Sequence, residues 1–365
     1  MFRSLSSLSS LISLAPLAPL ATLDSLLYQI ANLEPLPKPK KELLVVGYGW
    51  GADAFLNRID TDKYSVRVVS SRTARLDQPH MIAALSSSGL APSTVGYKGT
   101  ILKDTCHTID ASTNTILCDN ASHKYDILVV AMGSEMNDFR IPGVRDFCRP
   151  FKTEADLQSL RDQIPAKTAA VVMGAGPTGI ELACKLRSMG LTVSIVEASD
   201  QILPGFSPTM KKRTHQILAE NDITVYSHHP ITAVTKDAIV TKKGTIPHSA
   251  DSDLLIWTCG VQPVAPVRKF TGGRSFQVDG NLKVIGSENV YALGDVIAGP
   301  GRGPPTAQAA TQQGAYLASY LNGTAIYDFT YKEKGRILDL TYGHLIEVAG
   351  ISFYIPADYF QHVTF

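Results

Sequence analysis

Two glycine-rich loops carry residue types and spacings that let a main chain close around a pyrophosphate: Gly47-Tyr-Gly49-Trp50-Gly51-Ala52 and Gly174-Ala-Gly176-Pro177-Thr178-Gly179. In the first, Gly47 permits a tight turn, Gly49 lets a phosphate approach the backbone, and Ala52 allows close helix packing. The second repeats the arrangement, with Pro177 and Thr178 at the start of its helix. Each helix N-terminus offers free N–H groups and the positive end of a dipole to the phosphates. A single loop of this kind is often no more than a strand-to-helix turn. Two in one chain point to two dinucleotide sites.

The residues ending the next strands separate the two sites. Glu197, 23 positions after Gly174, can accept hydrogen bonds from an adenosine ribose and repels the extra phosphate of NADP, so NAD is expected there. The equivalent position after Gly47 is Ser70, followed by Ser71 and Arg72, so the usual acid is missing and Ser70 or Arg72 is left to contact ribose or adenine. A third element, Gly286 to Asp295, runs an apolar strand into Gly294 and Asp295. That placement lets a carboxylate and an adjacent amide meet the ribityl-phosphate arm of a flavin. An ordinary turn or N-cap role is the competing reading for Asp295. Gln308 and Gln312, four apart, share one helix face, which on position alone could equally face solvent.

These residues need strands and helices behind them. Leu43 to Val46, the helix-like Ala52 to Ile59 and Ser65 to Val69 form one βαβ unit by period and length; Ala169 to Met173, Ile180 to Met189 and Leu191 to Val196 form a second. Short β-rich stretches lie between and after them, so the fold class expected is α/β, with two Rossmann-like dinucleotide-binding domains and extra antiparallel strands. With 365 residues and 44% hydrophobic content the chain can bury more than one core. A net charge of +1 gives no concentrated basic field, and no nucleic-acid partner is expected. The five cysteines are scattered, with no CxxC pair and no zinc-like Cys/His spacing, so no metal is expected. Residues 1 to 34 are rich in Ser, Leu and Ala, carry Arg3 and have no acid before Asp24, as in an organelle transit peptide, with a secretory signal or a disordered leader as the alternative expectations; a Pro/Lys linker follows at 35 to 41.

The sequence resembles the type II (alternative, non-proton-pumping) NADH:quinone oxidoreductases, within the two-dinucleotide-binding FAD/NAD(P) flavoproteins related to the pyridine nucleotide-disulfide oxidoreductases. The likeness covers roughly Leu43 to Gly343. It rests on the first glycine loop, Tyr125 to Glu135, Ile141-Pro-Gly-Val144, Gly176 to Glu181, Leu254 to Gly260, Ala292 to Asp295 and above all Pro304 to Ala318. The resemblance implies FAD at Gly47, Gly49, Trp50, Gly51, Ala52, Ser70, Arg72, Ala131, Gly133, Gly294, Asp295, Thr306 and Ala307. It implies NADH at Gly174, Gly176, Pro177, Thr178, Gly179, Glu197 and Gly260. Glu181 would lie near the nicotinamide, and Gln308 and Gln312 would contact a quinone. The implied division is a leader over 1–40, an FAD domain over 41–150 and 275–325, an inserted NAD domain over 151–274, and a short C-terminal segment over 326–365. The resemblance further implies a mitochondrial location at the inner membrane and is compatible with peripheral membrane association and a homodimer. Two departures stand out. The segment Thr73 to Met81 differs from the family's aromatic-rich turn beside the flavin. The chain also stops at Phe365, where the family continues into a membrane-docking amphipathic helix, so the expectation is that anchoring is lost or achieved otherwise, or that the sequence comes from a truncated gene model. Other expectations consistent with both nucleotide sites are an apoptosis-inducing-factor-like or ferredoxin-reductase-like enzyme with another acceptor, or a binding protein that has lost turnover.

Overall fold

The computed structural model describes residues 39–87, 89, 93–94 and 96–357; the leader expected over 1–34 lies outside them. The sequence Lys41–Val46 forms strand β1, Trp50–Leu56 helix α1 and Tyr64–Ser70 strand β2. Strands β3 (Ile101–Lys103) and β4 (Ile127–Val130) follow, separated by an antiparallel excursion of three strands, Cys106–Asp110, Thr115–Cys118 and Ser122–Lys124. A second set comprises β5 (Arg149–Pro150), β6 (Ala169–Met173), helix α2 (Pro177–Ser188), β7 (Thr192–Val196), β8 (Thr224–Tyr226) and β9 (Asp253–Trp257). The chain then returns through β10 (Val290–Ala292) and helix α3 (Ala307–Asn322).

These strands make two five-stranded sheets, ordered β10-β4-β1-β2-β3 and β5-β9-β6-β7-β8. Every pairing in both is parallel. Parallel strands need crossovers that cover both faces, which explains why Leu43 to Val46 and Val172 to Met173 are apolar without alternation and at most 1% exposed. Each such side chain contributes about 1.5–3 kcal/mol on burial. The mixed α/β class expected from the sequence is the class observed.

In each sheet the chain leaves the central strand for a neighbour on one side and later returns to the other side. Such a switch point opens a crevice beyond the carboxyl ends of the strands. Both glycine loops sit there, after β1 and after β6. The sheets are tied together by an antiparallel pair, Ser134–Met136 with Val261–Pro263. Strands Arg336–Asp339, Gly343–Val348 and Ile351–Pro356 form a small antiparallel sheet. Its Leu338, Leu340 and Leu345 join the same core as Ile180, Leu182 and Ile195 of the second unit. Among the described residues no helix is long and apolar enough to cross a membrane.

Candidate functional site

The first loop is held by its own backbone. Gly47 adopts φ +93° and donates its N–H to the Val69 carbonyl at 2.8 Å, fixing the turn between β1 and β2. A Cβ at Gly47 would stand 2.5 Å from the Ala131 oxygen and 2.7 Å from the Met132 Cα, so the loop presses against the segment leaving β4. Ala131 in turn donates to the Val46 carbonyl. Gly49 is different. It precedes α1 in an ordinary extended conformation, no side chain caps the helix there, and among the described residues nothing lies within 4 Å of where its Cβ would be. Ala52 is fully buried, yet the closest helix approach falls at Gly51. A Cβ there would meet the Leu293 side chain, and one at Gly314 of α3 would fall 2.0 Å from the Gly51 carbonyl.

The second loop repeats this construction. Gly174, at φ +104°, donates to the Val196 carbonyl at 2.8 Å and packs on Thr258 and Cys259, which follow β9. Gly176 precedes α2 without a side-chain cap and with open space before it, Pro177 and Thr178 are exposed, and Gly179 packs on Gly174. The Glu197 carboxylate closes the loop: Oε2 accepts the Ala175 N–H at 2.7 Å, while Oε1 accepts from the Ser199 N–H and hydroxyl, both at 2.8 Å. Gly260, at φ +140°, lies on the same edge.

Around the first loop, Ser70 is buried and its hydroxyl accepts the Arg72 N–H at 3.2 Å. Arg72 is exposed and lines a cleft of about 190 Å³ with Thr73, Leu76, Lys103 and Glu154. The half-buried Trp50 has its ring under the Arg75 guanidinium, 3.6 Å from Cζ to the ring centroid. Arg75 also meets Asp53 at 3.6 Å, and Asp53 accepts the Tyr48 hydroxyl at 2.8 Å. Trp50 Nε1 and Arg75 Nη1 are buried with no hydrogen-bond partner among the described residues. Arg75 was absent from the expected site. Its signal lay in the segment after Arg72 that departs from the family pattern.

Gly294, at φ +77°, and Asp295 border a second cavity of about 170 Å³, with Val261, Gln262, Gly303, Pro304 and Gln313. Asp295 Oδ2 accepts the Ser134 hydroxyl at 2.5 Å and lies 3.5 Å from Lys152 Nζ. Gly133, at φ +69°, has open space around it. Thr306 caps α3, its hydroxyl accepting the Ala309 N–H, and Ala307 is half-buried behind it.

The glutamines divide differently from their spacing. Gln308 accepts from the Tyr331 hydroxyl and the Lys334 N–H and donates to the Gly335 carbonyl; Gln312 donates to the Lys332 carbonyl and accepts its N–H. Both hold residues 331–335 against α3. The amide that borders the cavity is Gln313, 2% exposed, which accepts the Gly294 N–H at 2.6 Å and donates to the Arg302 carbonyl at 2.8 Å.

Glu181 on α2 points to the small C-terminal sheet, where Oε1 accepts the Asp339 N–H at 3.0 Å. Burial pushes its carboxyl up to about 8; the Asp339 N–H opposes the rise and the Asp339 charge adds to it. The folded state therefore holds this proton well above the ordinary value of 4.5. Its contribution to stability is complete below that value and is lost as pH climbs through about 8. Glu181→Gln cannot ionise, so the melting temperature of the native chain should fall relative to the variant across this window and stay offset above it. Parallel melting profiles would contradict the assignment.

A family model described as pyridine nucleotide-disulphide oxidoreductase matches residues 41–314. The mitochondrial external NADH-ubiquinone oxidoreductase 2 of Saccharomyces cerevisiae is 28% identical over 341 residues, which is 78% of this chain and 62% of that protein. The chain thus spans less than two thirds of that relative. NDH2 from Plasmodium falciparum, solved in complex with NADH, superposes with a TM-score of 0.77 at 20% identity, over 87% of this chain and 92% of that one. A ferredoxin reductase from Rhodopseudomonas palustris gives 0.75 at 21%, over 87% and 89%. At these identities the likeness to the solved structures is one of fold.

Proposed function

We propose, because the chain belongs to the pyridine nucleotide-disulphide oxidoreductase family, that it is an FAD-dependent NADH dehydrogenase passing two electrons to a quinone without pumping protons. The observation that carries this reading is the duplicated crevice: two parallel sheets, each with an uncapped glycine-loop helix at its switch point. We assign the first sheet to FAD and the second to NADH.

The residues present fit these groups. Gly49 and Gly176 leave room where a Cβ would otherwise intrude, and the orphaned Nε1 of Trp50 and Nη1 of Arg75 are donors awaiting an acceptor at the FAD side. FAD, when bound, supplies the redox chemistry, accepting a hydride from reduced nicotinamide and returning two electrons to an acceptor.

The chain's own part is binding and orientation. The loop N–H groups of α1 and α2 hold pyrophosphates. Ser70 and Arg72 stand where the FAD ribose would be met. Ala131 and Gly133 form the turn beside the first loop, and Thr306 and Ala307 present the N-terminus of α3. Asp295, fixed between Ser134 and Lys152, offers a carboxylate acceptor next to the Gly294 loop, and Gln313 locks that loop to Arg302. Glu181 holds a proton on its carboxyl at neutral pH.

Glu197 selects NADH by accepting ribose hydrogen bonds and repelling a 2′-phosphate. Glu197→Gln removes the charge and keeps one of the two acceptor oxygens. It should raise kcat/KM for NADPH relative to NADH by about tenfold, equivalent to about 1.4 kcal/mol. An unchanged ratio would contradict the role.

The quinone reading draws on the relatives' printed activity and on the Pro304 to Ala318 stretch, with Gln308 and Gln312 as its contacts. The engagement of both amides with residues 331–335 favours a second reading, in which another acceptor, such as a small redox protein, takes the electrons. Steady-state NADH oxidation by the FAD-loaded chain, with a short-chain ubiquinone against a ferredoxin, separates the two. A mitochondrial site of action, with peripheral contact to the inner membrane and a homodimeric state, completes the proposal.

A further inference from the structure

Beside the β2 end of the first crevice, three ligand-type side chains converge on the antiparallel sheet that follows β3. Asp104 leads into the strand Cys106–Asp110, Cys118 ends Thr115–Cys118, and His123 lies in Ser122–Lys124. One ligand atom from each of Asp104, Cys118 and His123 lies within 4.8 Å of the other two. The strand register sets Cys106 directly opposite Cys118, and the Cys106 thiol donates to the Thr108 carbonyl at 3.6 Å.

Two observations make this more than a chance meeting. His123 Nε2 is buried with no hydrogen-bond partner among the described residues, although Asp104 Oδ2 stands 3.9 Å away. A buried imidazole nitrogen of that kind calls for a partner the polypeptide does not supply. The Asp104 side chain is only 6% exposed and its carboxylate is oriented from behind. Oδ1 accepts the Thr105 N–H at 2.8 Å and Asn120 Nδ2 at 3.1 Å, with the Asn120 N–H shared at 3.3 Å between both oxygens. Metal-ligating carboxylates are held by outer hydrogen bonds of this sort.

We propose that Asp104, Cys118 and His123 bind a Zn²⁺ ion, and that Cys106, opposite Cys118 in the strand register, turns its thiol from the Thr108 carbonyl to become the fourth ligand. A thiolate, imidazole and carboxylate set suits zinc and excludes Mg²⁺ and Ca²⁺, which take oxygen ligands. Ligand atoms around tetrahedral zinc stand about 3.3–3.8 Å apart, so rotamer shifts of about 1 Å bring Asp104, Cys118 and His123 to bonding positions. Binding exchanges the thiol protons for the metal and changes no oxidation state. The Asp104 N–H donates to the Ser70 carbonyl at 3.0 Å, so the ion would tie the three strands to the end of β2. The site is structural and independent of the proposed reaction.

The test uses the full FAD-loaded chain, reduced, stripped of metal and titrated with Zn²⁺ against a chromophoric chelator, and with Co²⁺ by absorbance. The expected result is one tightly held Zn²⁺ per chain. Co²⁺ should give a sulfur-to-metal charge-transfer band and the d–d bands of a tetrahedral site. His123→Ala and Cys118→Ser should each weaken zinc binding by about a hundredfold or more while the flavin spectrum is retained, and Cys118→Ser should lose most of the charge-transfer band. A reduced native chain that retains no Zn²⁺ against the chelator, or whose Co²⁺ complex lacks the charge-transfer band, would overturn the site. So would a Cys106–Cys118 disulfide that persists in the native chain and excludes the metal. Both readouts on the native chain hold even where a variant fails to fold.

Discussion

Aspartate in place of Gly49 is expected to leave the chain folded and colourless. Gly49 already has a conformation open to any residue, φ −126° and ψ −164°, and nothing among the described residues occupies the space ahead of it. An aspartate there would accept N–H groups from the first turn of α1 and stabilise the fold by about 0.3 kcal/mol relative to glycine. The same carboxylate would stand where the FAD pyrophosphate is proposed to sit. Two like charges about 4 Å apart near a protein surface repel by about 4 kcal/mol, close to a thousandfold in affinity. Purified Gly49→Asp should therefore melt no lower than the native chain and carry less than about a tenth of its flavin. A fully flavinated variant would move the FAD site elsewhere.

Gly176→Asp should give the complementary phenotype. Gly176 precedes α2 at φ −72° and ψ 177°, again uncapped and unobstructed, so the substitution is sterically silent. The variant should be yellow, keep its stability, and be reducible by dithionite. NADH should fail to reduce it at concentrations that fully reduce the native chain, with kcat/KM lowered by about a hundredfold or more on the same repulsion argument. Loss of flavin in this variant, or ordinary NADH turnover, would contradict the division of the two sheets between the two cofactors. Taken as a pair, the variants separate binding at each crevice from folding, because each adds a helix cap while removing one ligand.

The glycine loops were legible because their chemistry is local. A positive φ at Gly47 and Gly174, each pressed against the strand that closes the switch point, is a requirement written into the residue itself. The parallel order of the sheets followed from continuous apolar strands alternating with helices. What spacing could not give was the partner across space. Gln308 and Gln312 do share a helix face, but that face meets residues 331–335, and no periodicity announces such a meeting. Gln313, one residue on, points to the cavity because it is rotated about 100° around α3. The Trp50–Arg75 stack depends on a segment with no regular period. Asp104, Cys118 and His123 escape any linear zinc pattern because they come from successive antiparallel strands, where hairpin register brings distant positions together. The absence of a metal expected from cysteine spacing was thus a statement about contiguous motifs only.

Electrons are proposed to pass from NADH through a flavin on this chain to a quinone. The most direct test of this path is an anaerobic absorbance titration of the FAD-loaded protein, first with NADH and then with a short-chain ubiquinone. The flavin band should disappear with one equivalent of NADH and recover on adding quinone. A band that NADH leaves unchanged, or that bleaches and does not return with quinone, would contradict it.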